Sequence, residues 1–149
     1  MLPLSIYLSG EIHSDWREEL QKACQEHELP VKFFTPVVTH QASDEIGQKL
    51  HPELSEGFWR DQASSSINQV RIRTGIDRAD LVIIRFGEKY RQWNAAFDAG
   101  YCAAKGKPYL VIHPEDFTHA LKEVDNGAFG VATTTMQAVE IISYISTQK

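Results

Sequence analysis

The chain has 149 residues, 42% hydrophobic and 23% charged, with a formal net charge of −5. That length suits a single domain, 1–149, with a sizeable core, and the acidic balance argues against general binding to nucleic acid or to an anionic membrane. Residues 5–8 (SIYL) are β-prone and end in Ser9-Gly10. Ser14 or Asp15 can cap a helix running to about His27, with Trp16, Leu20 and Ala23 recurring at helical spacing. A second strand covers 31–34. Residues 37–58 are polar and broken by Gly47, Pro52 and Gly57, and they read as a long loop with one helical turn near 46–50; loops of that length in compact domains are often functional. A helix is expected over 65–78, then the apolar strand LVIIRF at 81–86, as in a strand covered on both faces. The helix 94–105 follows, with Gly106 as its C-terminal cap and Pro108 as a stop. A strand at 109–113, a helical turn at 120–124, a short strand at 130–132 and a helix at 136–146 capped by the hydroxyls of 133–135 complete the chain.

Alternating strands and helices predict an α/β fold: a flavodoxin-like, doubly wound parallel sheet of about five strands in the order 2-1-3-4-5, with helices on both faces. In such sheets ligands bind where the crevice opens at the carboxyl ends of the strands. Segments 9–13, 35–44 and 87–94 converge there. Cys24 and Cys102 form no C-x-x-C pair, so a disulfide framework is not expected and a cytoplasmic location is. The opening MLPLSIYLSGEIHSDW lacks the pattern of a signal peptide, and no apolar run approaches the ~20 residues of a membrane span.

Asp98 stands among small residues (Ala95, Ala96, Ala99, Gly100, Cys102) on the 94–105 helix. A carboxylate on a closely packed helix must be hydrogen-bonded, charge-paired or exposed, and one near the crevice mouth is a functional candidate. Tyr7 lies on the first strand, as a core aromatic or as a site residue. The Ser9-Gly10 turn and Arg85, at a strand end, are candidates to hold an anion. Glu11, His13, His40, Asp44, Gly87, Glu88 and Asn94 supply polar groups around the crevice, and Trp93 can stack on a planar ligand. The six histidines lack metal-ligand spacing, so no metal and no cofactor is expected. The G-x-G-x-x-G, P-loop and G-x-S-x-G fingerprints are absent.

The stretches SIYLSG, ADLVIIRFG and AAFDAGYCAAKGKPYLVI resemble the nucleoside 2-deoxyribosyltransferase-like superfamily. Longer stretches, IYLSGEIHSDWREE, FFTPVVTHQASDEIG, FGEKYRQWNAAFDAGY and HALKEVD, resemble the YtoQ family within it. The resemblance implies a flavodoxin-like fold and cleavage of the N-glycosidic bond of a 2'-deoxynucleoside, in which a helix-borne carboxylate forms a covalent sugar ester that water or a second base then resolves. In Phe97-Asp98-Ala99-Gly100-Tyr101 it places Asp98 at the nucleophile's position, where the superfamily has glutamate, and Tyr7 beside it as the tyrosine that orients it. Gln92-Trp93-Asn94 replaces the acidic residue and glycine often found ahead of the nucleophile. The implied partner is a small-molecule nucleoside or nucleotide, and the implied assembly a homo-oligomer, at least a dimer. The other reading is a nucleotide-binding protein that keeps the pocket without the chemistry.

Overall fold

The computed structural model describes residues 2–36, 38–53 and 56–147. Five strands, β1 (Leu4–Gly10), β2 (Val31–Phe34), β3 (Leu81–Arg85), β4 (Tyr109–Ile112) and β5 (Gly130–Ala132), form one sheet in the order β2-β1-β3-β4-β5. Every pairing is parallel, with Gly10 opposite Arg85 and Arg85 opposite Ile112. This is the order that the alternation of elements predicts.

Strand periodicity divides the core in two. Ile6, Leu8, Leu81, Ile83, Leu110 and Ile112 face Trp16, Leu20 and Cys24 of α1 (Trp16–Glu26) and Ala138, Val139 and Ile142 of α7 (Thr135–Thr147). Tyr7, Val82, Ile84, Tyr109 and Val111 face the other way, onto Ile76 of α4 (Gly57–Arg78) and Ala95, Ala99 and Cys102 of α5 (Trp93–Lys105). The small residues of α5 bring its axis close to the sheet. Gly106 ends that helix at φ +67°, where a residue with a Cβ is disfavoured. Among the described residues no helix is long and apolar enough to cross a membrane.

The structure departs from the sequence reading between β2 and β3. The helical turn expected near 46–50 is α3 (Ile46–Leu50), but the rest of the stretch read as a loop also holds α2 (His40–Asp44), and α4 starts at Gly57, well before residue 65. Polar contacts build this unit. Ser64 Oγ donates to the Asp44 carbonyl (2.7 Å) and accepts from the Gly47 N–H (2.8 Å), while Asn68 Nδ2 donates to the Ser43 carbonyl (2.9 Å). At Gly47 a Cβ would run into the backbone of Arg60 and Ser64, so α3 can lie on α4 only with glycine there. Such polar, close-approach packing leaves no hydrophobic period to read.

Beyond β4 a 3-10 turn (Glu115–Phe117) leads to α6 (Lys122–Gly127), placed slightly later than the expected turn at 120–124. Buried His113 ties the end of β4 to α6: Nε2 lies 2.9 Å from Asp125 Oδ2, and Nδ1 lies 2.7 Å from the Pro114 carbonyl. His113 therefore serves this tie and does not line the crevice. Asp125→Ala leaves a buried ring nitrogen without a partner, and urea unfolding should show a loss of about 1–3 kcal/mol.

Candidate functional site

At the carboxyl ends of the strands, the β1 chain must turn away from the sheet. Gly10 makes that turn at φ +105°, and the Glu11 N–H continues onto the Arg85 carbonyl (2.9 Å). Buried Arg17, from the first turn of α1, clamps the turn from below. Its guanidinium donates to the carbonyls of Glu11 (2.5 Å) and Gly10 (3.2 Å) and stacks on Trp16, whose Nε1 also donates to the Glu11 carbonyl (2.7 Å). The sequence reading missed Arg17, because an arginine in a helical first turn looks like a surface residue.

The turn forms one wall of a cleft of about 610 Å³. Ser9, Gly10, Glu11, Ile12 and His13 contribute from β1 and the loop after it. Pro36, Ser43 and Asp44 contribute from the segment after β2, Ile72 from α4, and Tyr90, Arg91, Gln92, Asn94 and Asp98 from the β3–α5 connection and α5. The three segments expected to converge thus meet here. Of the residues singled out in the sequence, the cleft gathers Ser9, Gly10, Glu11, His13, Asp44, Asn94 and Asp98. Five others do not line it: Tyr7, Arg85, Gly87, Glu88 and Trp93. His40 opens α2, but its side chain lies outside the described part of the molecule.

Asp98 is 7% exposed, and its Oδ2 accepts a hydrogen bond from Ser9 Oγ at 2.5 Å. No hydrogen bond from a described residue reaches its Oδ1. Burial disfavours the ionised form and pushes the Asp98 carboxyl up to about 6, although the Ser9 hydroxyl pulls the other way. Tyr7 projects from β1 on the same face of the sheet, but no hydrogen bond joins it to Asp98; Ser9, two residues further on, is the residue that holds the carboxylate. The Tyr7 hydroxyl is buried without a partner, and burial together with the Asp98 charge pushes its ionisation upward, so the phenol stays neutral.

Glu11 lines the cleft but spends its carboxylate locally. Oε1 accepts from the His13 N–H, Oε2 accepts from Ser14 Oγ (2.6 Å), and Arg85 Nε stands 3.7 Å from Oε2. Arg85, expected to face an anion in the crevice, is thus turned to Glu11. Glu88 is exposed, and Trp93 is 75% exposed at the start of α5. In place of Trp93 the cleft holds Tyr90, in the left-handed region at φ 69° with its ring centroid 4.8 Å from that of His13. Gln92 fixes this connection: its Oε1 accepts from the Gly87 N–H, and its Nε2 donates to the Lys89 and Tyr90 carbonyls, each at 2.9 Å. A bulky residue at positive φ, held by a side-chain staple, makes Tyr90 a candidate site residue.

The family model for nucleoside 2-deoxyribosyltransferase YtoQ matches residues 7–146. The chain belongs to the YtoQ family. It is 43% identical over 140 residues to the uncharacterized protein YtoQ of Bacillus subtilis (strain 168), covering 94% of this chain and 95% of that protein. Two solved structures share the fold of this YtoQ-family chain at low identity. One is a conserved protein from Enterococcus faecalis V583 (TM-score 0.65, 13% identity, 96% of this chain and 99% of that one). The other is a 2-deoxyribosyltransferase from Bacillus psychrosaccharolyticus (TM-score 0.52, 16% identity, 91% and 90%).

The raised Asp98 carboxyl also makes a stability prediction. The folded state holds this proton more tightly than the unfolded chain, whose aspartate titrates near 4. The contribution of Asp98 is therefore fully present below about 4 and is lost as pH rises through about 6. The loss is on the order of 3 kcal/mol. Urea unfolding of the wild type and Asp98→Asn from pH 4 to 8 should show the variant gaining on the wild type across that window, because the amide carries no charge to desolvate.

Proposed function

We propose that this chain cleaves the N-glycosidic bond of a 2'-deoxynucleoside or its nucleotide, with Asp98 as the nucleophile. The observation that carries this reading is a nearly buried carboxylate at the cleft, held through Oδ2 by Ser9 and with Oδ1 left for attack. Oδ1 attacks C1' of the sugar and the C1'–N bond breaks. The base leaves with the electron pair of that bond and takes a proton. Water or a second base then attacks C1', releasing the sugar and restoring the carboxylate. A buried carboxylate is suited to an oxocarbenium-like transition state, whose positive charge it stabilises in low dielectric.

Ser9 carries the orienting role that the resemblance assigns to Tyr7, and Tyr7 backs the same face as a neutral phenol. The Tyr90–His13 pair offers aromatic surface to a planar base, and Asn94 and Arg91 offer hydrogen bonds along the cleft. Family membership and the fold shared with a 2-deoxyribosyltransferase support the reading. The shorter aspartate in place of glutamate favours a second reading, nucleotide binding without cleavage.

Chromatography of mixed deoxynucleosides and their 5'-monophosphates after incubation with the protein separates the two. Free base should accumulate with the wild type and not with Asp98→Asn, and base exchange on adding a second base distinguishes transfer from hydrolysis. Turnover needs the ionised carboxylate, so kcat/KM should rise about tenfold per pH unit below about 6 and level off above it. Ser9→Ala removes the bond that stabilises the anion and should move that limb to higher pH.

A further inference from the structure

A second hollow, of about 340 Å³, opens between the end of β2 and α4, meeting the cleft at Pro36. Its polar lining is Tyr7, Thr35, Arg71, Thr74 and Arg78, a set rich in donors and without a carboxylate. Arg71, Thr74 and Arg78 fall on one stripe of α4, the two arginines separated by two turns. Among the described residues neither guanidinium has an acidic partner within ion-pair distance, although the chain as a whole carries a net charge of −5. Between them the Tyr7 ring lies against Gly75, and its hydroxyl is buried without a hydrogen-bond partner. Besides burial, the charges of Asp98, Arg17 and Arg71 act on that hydroxyl, in that order of strength, the two arginines opposing Asp98. A buried hydroxyl left unpaired is costly unless something accepts from it. Two unpaired arginines flanking the same hollow call for an anion with several acceptor oxygens, since the planar guanidinium matches phosphoryl and carboxylate oxygens best.

We propose that this hollow is an oxyanion site that takes a phosphoryl group, held by Arg71 and Arg78 and accepting a hydrogen bond from Tyr7. The hollow lies outside the cleft that holds Asp98 and meets it at Pro36. Its phosphoryl group comes either from free inorganic phosphate or from a nucleotide.

Isothermal titration of the full chain with inorganic phosphate, and separately with a 2'-deoxynucleoside 5'-monophosphate, tests it at constant ionic strength. Arg71→Gln and Arg78→Gln sit on the exposed side of α4, where glutamine keeps the helix. Each should weaken binding about tenfold or more, the effect of removing one charge-assisted contact. Tyr7→Phe, which removes only the hydroxyl, should weaken binding several-fold. Phosphate binding that depends on both arginines identifies the free anion as sufficient. A response to the nucleotide alone, with the same dependence, assigns the phosphoryl group to the nucleotide. Affinity unchanged in both arginine variants, or no binding of either probe to the wild type, overturns the proposal.

Discussion

Asp98→Asn is expected to abolish N-glycosidic cleavage while leaving the protein folded. The amide keeps the shape of the carboxyl and can still accept from Ser9, but it cannot form a sugar ester. Loss of a covalent nucleophile should cost on the order of 10³-fold or more in kcat. Above pH 6 the variant should also be more stable than the wild type, because the desolvated charge is gone. The combination is diagnostic. A residue that merely pairs with a buried cation would lose stability on neutralisation, and no described cation pairs with Asp98. Turnover and unfolding measured on one preparation at pH 7.5 check both halves. An active variant, or one that is inactive and less stable, contradicts the assignment.

Gly10→Ala should be the most damaging single-methyl change at the site. Gly10 holds φ +105° opposite Arg85, and a Cβ there would overlap the Arg85 carbonyl oxygen and lie 2.9 Å from the Arg85 nitrogen. Neither partner is a flexible side chain; both belong to the central strand β3. Relief requires β1 and β3 to part or the turn to flip, which breaks the Arg17 clamp and the Glu11 N–H bond to the Arg85 carbonyl. The expected loss is about 4 kcal/mol, a drop of roughly 10 °C in Tm for a chain of this size. Thermal unfolding followed by circular dichroism measures it. A variant melting within a degree or two of the wild type would show that the turn adapts and does not position the cleft.

The parts of the fold legible in the sequence were those set by hydrophobic burial. β3 and β4 are nearly unbroken apolar runs because helices cover both faces, and the small residues of α5 announce its close approach to the sheet. Of the elements between β2 and β3 only the turn at α3 was legible; α2 and the first turns of α4 were not. Phe58 and Trp59 are exposed there, and Ser64, Asn68 and Gly47 make the contacts, so no periodic apolar face marks the helices. In the site, Asp98 stood out as a carboxylate among small residues, and the Ser9-Gly10 turn was singled out for a bound anion, whereas the Ser9 hydroxyl donates to the Asp98 carboxylate. Arg17 and Tyr90 gave no signal, and Gln92 stood out only as part of the stretch ahead of Asp98, not for its bonds to the backbone. Their roles depend on backbone carbonyls and a left-handed turn that only the assembled β1 and β3 loops create. The position of Arg85 at a strand end does not reveal that Glu11 faces it.

The central claim is that Asp98 attacks C1' of a deoxynucleoside sugar. Rapid acid quench of the protein during turnover of a deoxynucleoside, followed by intact-mass and peptide mass spectrometry, tests it most directly. The wild type should gain the mass of one 2-deoxyribosyl unit, localised to the peptide containing Asp98, and Asp98→Asn should gain none. Turnover without any adduct at Asp98, or an adduct on another residue, would contradict the account.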